Sequence, residues 1–456
     1  MEKIQVKINQ LLESRYLVTL GILALLTFFF ILFIDKSNNF LFYENQLIEF
    51  YIRAPFDISS FLESVYPLRD LFLQFFIKEF EGKLSLYRFL NLIIHAGNSV
   101  LIYFALKRFG IRFYTLLSLL FLVSPMHVFA LSTVEGMDIL LATSLGLLSF
   151  HFYTKQVDKD QLFNLYNILA FIMYAASVLT HYAYFCLPFL YLMYGNFKGA
   201  LSKKEQVIKL LPFWVLLFAR LITYLRYTGF YQVESIQAQT QNFMLILGAR
   251  INHAIELMYS FIKPQVLYSF ESLNIYSFLV ACTFLFIIFM GLIVKSRKIN
   301  ILSKVILVLL IPLTCIKHLE YAGVSPYVDK QFYLLSFLIL IYFFEWMGLV
   351  YAKIRNYLGL IISLYIVIGF FVTLDFRNDF NEPSPMYREI LHQNPYNAFA
   401  LYKLIEFELS NQNFDSAQKA YSANEAFLIY YPRTWRNEID LLREEWAKRK
   451  GESPRP

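Results

Sequence analysis

Four polar residues recur every three or four positions within one long apolar stretch: Arg88, Asn91, His95 and Asn98. This spacing places all four on one face of a helix, which we call the polar stripe. Ionisable side chains at membrane depth are costly and usually face a bundle interior or a water-filled cavity. The stripe therefore either lines a functional site or forms interhelical hydrogen bonds worth about 1 kcal/mol each. The spacing alone is compatible with both.

Ionisable residues also gather where two later apolar runs meet, at His127, Glu135 and Asp138. Because one run ends and the next run begins there, we predict that these side chains lie together at one membrane surface and contribute to a site.

Carboxylates are frequent in an earlier segment, residues 35–85, where Glu44 is followed by the amide Asn45. A carboxylate held beside a membrane surface could act as general base for an acceptor that is brought against a lipid-linked donor. The alternative is that the acids only solvate the segment. The acids include Glu44, Glu49, Asp57, Glu63, Asp70 and Glu79.

Membrane-spanning helices are the elements that must position these residues. The chain is 58% hydrophobic and 16% charged, with a mean hydropathy of +0.49, and a soluble domain of this length would need more polar surface. A span takes about 20 apolar residues. The predicted fold class is thus an all-α polytopic helical bundle. Its runs are 16–34, 86–106, 113–131, 137–154, 163–180, 182–195, 208–227, 275–294, 301–317, 332–351 and 356–374.

Basic residues in the short connections predict the orientation. If eleven spans are counted, the basic clusters all fall on one side, which the positive-inside rule makes the cytoplasm. The net charge of +7 is explained by this topology and not by a nucleic-acid partner. The N-terminus is then cytoplasmic, while segment 35–85 and the tail from residue 375 are extracytoplasmic. The count requires that runs 163–180 and 182–195 are separate, although only His181 and Tyr182 interrupt them.

Short motifs follow one another in a fixed order along the chain. The four main ones are 42–48, 66–69, 87–103 and 124–141, and weaker ones are 220–229 and 328–333; we call these the motif segments. In this order they resemble the GT-C superfamily of membrane glycosyltransferases. The resemblance is greatest to the transmembrane-and-tetratricopeptide-repeat O-mannosyltransferases and their bacterial relatives, and it covers residues 40–335 with gaps.

The resemblance implies transfer of a sugar, with inversion, from a polyprenyl-phosphate carrier to an extracytoplasmic protein or glycan acceptor. Glu44, beside Asn45, is then the candidate base. His127, Glu135 and Asp138 would position the acceptor or hold a divalent cation, where one is used. The polar stripe, with Arg88, Asn91 and His95, would support the site. The candidates for binding the donor phosphate are Arg220, Arg250 and Lys330.

Several positions depart from the family pattern. Asn45 stands where the family has a second acid, Met137 and Lys330 stand for arginines, and His181 stands for a lysine. Lysine keeps the charge of arginine but loses its bidentate fork. Because of these departures, a second hypothesis remains, in which the chain is a catalytically inactive membrane scaffold that docks a protein partner. A secondary transporter is a third reading, but it would show matching halves with broken helices, and none is found in this sequence.

The tail from residue 375 is charged and polar, which predicts a separate small domain, 375–456. Residues 398–421 form a helix-turn-helix pattern between Pro395 and Pro432. The pattern resembles one tetratricopeptide repeat without the usual glycine at its turn. Fewer than three repeats rarely stand alone, so this domain is expected to pack on the membrane domain or on a protein partner.

Overall fold

A computed structural model describes most of the chain from residue 66 onward. The described residues are 66–80, 84–124, 127, 130–131, 133–134, 136–157, 164–198, 203–230, 275–315, 333–350, 352–379, 383–393, 398–430 and 433–450. Their regular structure is entirely helical, and no strand occurs among them. The predicted all-α class is therefore confirmed for this part of the chain.

The larger group of helices forms a bundle around a main apolar core, with an additional smaller cluster that contains Leu73 and Ile77. Its helices are α1 (Pro67–Phe80), α2 (Leu84–Arg108), α3 (Tyr114–Val123), α4 (Gly136–Val157), α5 (Leu165–Thr180), α6 (Leu187–Lys198), α7 (Lys203–Phe230), α8 (Ile275–Ile293), α9 (Arg297–Cys315), α10 (Leu335–Val350) and α11 (Ala352–Asp379). Helix α2 packs on α3 and α4, α4 packs on α5, and α3 packs on α11. Leu120 and Phe121 of α3 and Phe337 of α10 are fully buried in the shared core.

Three described helices are long and apolar enough to cross a membrane: Leu86–Arg108, Gly136–Val157 and Lys204–Thr223. Shorter apolar helices accompany them, and large apolar side chains such as Phe286 (65% exposed) and Leu360 (70% exposed) point outward from the bundle. An apolar outer surface of this kind is compatible with a membrane protein. The first predicted run, 16–34, lies outside the described residues.

Helix α3 ends at Val123, eight residues before the end of the predicted run. Ser124 has an extended backbone (φ −68°, ψ 127°), because a residue that precedes a proline, here Pro125, is disfavoured in the helical region. The chain is thereby turned out of the helix just before His127.

His181 separates the two apolar runs on which the predicted topology depends. It ends α5 with an extended backbone, and its Nδ1 accepts a hydrogen bond of 3.1 Å from the backbone N–H of Ala183, which caps a 3-10 turn at Tyr182–Tyr184. Helix α6 begins at Leu187. The two runs therefore form two separate helices.

The last helices form a second, separate core. They are α12 (Pro383–Gln393), α13 (Ala398–Ser410), α14 (Phe414–Asn424) and α15 (Arg433–Lys450). Leu401, Ala417 and Ile439 are fully buried between them. The turn between α13 and α14 contains Gln412 with a φ of 60°, so a glutamine adopts the left-handed conformation for which a glycine was expected.

Candidate functional site

The polar stripe is buried along its whole length. Arg88 is 5% exposed, and Asn91, His95 and Asn98 are fully buried. The predicted helical face is therefore real, and it faces the bundle interior because α2 packs on α3 and α4 there. Buried polar groups need hydrogen-bond partners. The partners of Asn91, His95 and Asn98 show what each of these side chains does.

Asn91 holds the chain that connects α3 to α4. Its Nδ2 donates to the carbonyl oxygen of Thr133 at 2.8 Å and lies 3.3 Å from that of Ala130. Carbonyls outside helices have no intrahelical donor, so a buried side-chain amide can satisfy them. Asn91 thus has a structural role.

His95 joins three elements through its two ring nitrogens. Nε2 lies 3.1 Å from the carbonyl oxygen of Leu122, and Nδ1 is hydrogen-bonded to the hydroxyl of Tyr333. Leu122 lies in the last turn of α3, where carbonyls lack intrahelical partners. A carbonyl only accepts, so Nε2 carries the proton, and Nδ1 accepts from the Tyr333 hydroxyl.

Asn98 extends the same network toward α4. Its Nδ2 donates to the carbonyl oxygen of Leu140 at 3.0 Å and lies 3.4 Å from the Tyr333 hydroxyl, and its Oδ1 accepts from Ser144 Oγ at 2.6 Å. Both ends of this amide are hydrogen-bonded to α4, and Nδ2 also lies near the Tyr333 hydroxyl, so Asn98 joins α2 to its neighbours. The hydrogen bonds of Asn98 and Asn91 therefore favour the second interpretation of the polar stripe, in which its side chains form interhelical hydrogen bonds.

His127 lies among aromatic rings, yet its own ring nitrogens have no hydrogen-bond partner among the described residues. The side chain is fully buried. Its ring centroid is 4.4 Å from that of Phe121, 4.5 Å from that of Tyr333 and 5.2 Å from that of His95. We call these four residues the ring cluster. A buried donor or acceptor without a partner costs about 1–3 kcal/mol, so His127 is the member of the cluster that packing does not explain.

Asp138 is the third residue of α4. It is 3% exposed and lies in the first turn, where a negative charge favours the helix dipole. Two residues earlier, a Cβ on Gly136 would lie 2.1 Å from the carbonyl oxygen of Ala130. Only a glycine allows the connection to approach the start of α4 this closely.

The structure brings together some predicted site residues and leaves others untested. His95 and His127 meet in the ring cluster, and Arg88 and Asn91 lie on the same helix face as His95. Arg220 is half-buried on α7, which packs on α5 and α6. The other predicted residues lie outside the described part of the chain: Glu44, Asn45, Glu135, Arg250 and Lys330.

Tyr333 is the functional candidate that sequence reasoning did not single out. It appeared only as the last residue of motif segment 328–333, and nothing in the sequence pairs it with a histidine 238 positions away. Its place at the start of an apolar run was the available signal. Among the described residues, no group of three His, Cys, Asp or Glu side chains could hold a metal ion.

The comparisons with known proteins add no relative. No protein-family model matches the chain, and no characterised protein or solved structure matches it.

Proposed function

We propose that the chain is a GT-C-type membrane glycosyltransferase with about eleven spans. It transfers a sugar from a polyprenyl-phosphate carrier to an extracytoplasmic acceptor, most simply a protein hydroxyl. The observation that carries this proposal is the ring cluster, because His95, His127 and Tyr333 come from three different motif segments and meet in one place. Their convergence is expected if the ordered motifs describe one site.

The ends of the helices support the predicted orientation. The ring cluster lies where α3 ends and where α4 and α10 begin, whereas α2 ends and α3 begins beside Lys107, Arg108 and Arg112. The ring cluster and these basic residues therefore lie at opposite ends of α3, while His95 itself lies halfway along α2. In the proposal, the basic end is cytoplasmic and the ring cluster faces the extracytoplasmic side.

A small apolar cavity between the helices of the bundle suits part of a lipid-linked donor. It measures about 80 Å³, and apolar groups of five helices face it. Leu334, which follows Tyr333, lines one part of it, and Phe109, which follows the end of α2, lines another. An isoprenoid chain has no hydrogen-bonding groups and suits such a surface, but a cavity of about 80 Å³ accommodates only a small part of the chain.

The proposed reaction is a single inverting displacement. The acceptor hydroxyl oxygen forms a bond to the anomeric carbon, the bond from that carbon to the phosphate oxygen breaks, and the hydroxyl proton passes to Glu44. Polyprenyl phosphate leaves, and Arg220, Arg250 and Lys330 stabilise its charge. His127, with Glu135 and Asp138, orients the acceptor. In the sequence, Glu135 directly precedes Gly136 and Lys330 is three residues before Tyr333, and the proposal therefore gives both residues a role at this site.

A non-catalytic scaffold is the second candidate function. It is favoured by Asn45 in place of a second acid and by the separate core of α12–α15. In this reading the tail is a tetratricopeptide-like module that docks a protein partner. Deleting the gene would then leave the cell's glycans unchanged and release that partner from the membrane.

The test uses purified full-length protein in proteoliposomes with a radiolabelled polyprenyl-phosphate sugar and a hydroxyl-bearing peptide. We expect Glu44→Gln to lower transfer by at least about 10²-fold without changing protein abundance. Glu49→Gln removes another acid of the same segment and serves as the matched control, with transfer retained. Full transfer by Glu44→Gln would remove Glu44 from its role. No transfer by the wild-type chain with any donor, together with unchanged glycans on deletion, would favour the scaffold.

A further inference from the structure

A second cavity lies at the opposite ends of α3 and α10 from the ring cluster. It measures about 300 Å³ and lies where the start of α3, the start of α9, the end of α10 and the first half of α11 meet. We call it the basic cavity. Its lining residues are Arg112, Phe113, Leu117, Ser296, Arg297, Lys298, Ile341, Phe344, Glu345, Gly348, Leu349, Leu358 and Ile362.

Cations dominate the charge of the basic cavity. Arg112 comes from the α2–α3 connection, and Arg297 and Lys298 open α9, whereas Glu345 is the one acid among the lining residues. Residues almost two hundred positions apart therefore contribute positive charge to one place. The helix dipole of α9 adds to it, because the N-terminal turn of a helix favours an anion.

The remaining wall of the basic cavity is apolar. Leu117, Phe344, Leu358 and Ile362 are buried behind it, and Leu349 is 46% exposed at its outer edge. The apolar wall therefore continues to the outer surface of the bundle. A free inorganic anion would use the cations and leave this wall without a partner, whereas an amphiphile would use both.

We propose that the basic cavity binds one anionic membrane phospholipid. Its phosphate lies by Arg112, Arg297 and Lys298, and the upper part of its acyl chains lies on the wall that ends at Leu349. A cavity of this volume is near the lower limit of small-ligand sites, so it takes the head group, while the chains stay in the bilayer. The bound lipid links the α2–α3 connection to the start of α9. This inference requires the chain to lie in a membrane but does not depend on sugar transfer.

Native mass spectrometry of the full chain tests the proposal. The detergent-purified protein is given equal amounts of phosphatidylglycerol and phosphatidylcholine with identical acyl chains. We expect one phosphatidylglycerol to be retained in preference to phosphatidylcholine. Losing a hydrogen bond to a charged group costs about tenfold or more in affinity, so Arg297→Gln/Lys298→Gln should lower retention by at least about tenfold. Arg112→Gln should act in the same direction from its separate loop.

Lys295→Gln/Lys304→Gln is the matched control. It removes the same charge from positions just before and within α9 that are exposed and do not line the cavity, so retention should be unchanged. Equal losses in both double variants would overturn the proposal, as would equal retention of the two lipids by the wild type. Displacement of the lipid by millimolar inorganic phosphate would also overturn it, because the site would then recognise the anion alone.

Discussion

At the scale of residues, two histidines that look alike in the sequence have different surroundings. His95 uses both ring nitrogens, one for Leu122 and one for Tyr333, whereas neither nitrogen of buried His127 has a partner among the described residues. A group that is costly to bury and makes no structural bond is a candidate for function. The sequence predicted both residues as site candidates, but only the structure separates a positioning histidine from one with unused bonding capacity.

This difference predicts opposite effects of two matched substitutions. His127→Phe removes unsatisfied nitrogens, so we expect an unfolding midpoint equal to or above that of the wild type. We also expect transfer lowered by about 10²-fold. His95→Phe leaves the Leu122 carbonyl without its donor and should lower the free energy of unfolding by about 1–3 kcal/mol. Thermal unfolding in detergent and the transfer assay measure both; a destabilised His127→Phe variant that keeps full transfer would contradict the assignment.

At the scale of elements, the connection between α3 and α4 determines where the ring cluster lies. Asn91 binds it from α2, and Gly136 allows the backbone of Ala130 to approach the first turn of α4. Ser124 and Pro125 end α3 early enough for His127 to reach Phe121. The position of the ring cluster therefore depends on the close packing of the α3–α4 connection against the start of α4.

We expect Gly136→Ala to disturb this packing. The new Cβ would lie 2.1 Å from the Ala130 carbonyl oxygen, so backbone must move, and the cost should be at least about 1–3 kcal/mol. Gly97→Ala is the control, because a Cβ there meets nothing within 4 Å and an alanine in a helix should stabilise by about 0.5–1 kcal/mol. Differential scanning fluorimetry compares the two; equal midpoints would show that the close approach is not needed.

The pairing of α12 with α13 predicts a pH dependence in the tail. Burial raises the pKa of the Glu408 carboxyl. Hydrogen bonds from Ser384, Arg388 and Asn413, together with the charge of Arg388, lower this pKa by more than burial raises it. The net pKa is therefore below the ordinary value. Because the folded-state pKa is depressed, this stabilisation is complete above the unfolded pKa of about 4.5 and is lost as the pH falls through the lower folded value.

Hydrogen exchange of the α13 amides, corrected for the intrinsic rate, measures this loss. Protection should be constant between pH 7 and 5 and should decrease below about pH 4.5. Glu408→Gln should reduce protection at pH 7 and remove the decrease. A wild-type profile that stays flat to pH 3 would show that the Glu408 network does not stabilise the tail.

Particular elements show what the sequence can predict. Apolar runs and the break at His181 are local signals, so most helices of the bundle and the α13–α14 turn were predicted within a few residues, whereas α3 ends eight residues before the end of its predicted run. The left-handed backbone conformation of Gln412 was not predicted, because the surrounding packing overrides the preference for glycine at such a position. The meeting of Tyr333 with His95 was not predicted either, since a contact across 238 positions depends on which helices pack together, and periodicity does not determine that.

At the scale of the whole molecule, opposite ends of the bundle have different chemistry. The ring cluster lies where α3 ends and α10 begins, and the basic cavity lies where α3 begins and α10 ends. An odd number of spans would carry the tail to the side of the ring cluster, so that the proposed acceptor site and the tail share one compartment.

Cysteine labelling in intact cells tests this arrangement. In a background without the three native cysteines, Lys419→Cys, which is exposed on α14, should react with a membrane-impermeant maleimide. Lys295→Cys, exposed before α9, should react only after the cells are permeabilised. Labelling of both positions from outside, or of Lys295→Cys alone, would contradict the eleven-span topology.

The most direct test of the central claim is a cryo-EM structure of the full chain with a non-transferable polyprenyl-phosphate sugar. The account predicts the sugar phosphate beside the ring cluster, near Lys330 and Arg220, with the anomeric carbon accessible to an acceptor held by His127 and Glu44. The isoprenoid chain should lie along the apolar outer surface of the bundle, because the cavity beside Leu334, at about 80 Å³, is too small for it. A donor bound at the basic end, or no bound donor at saturating concentration, would contradict it.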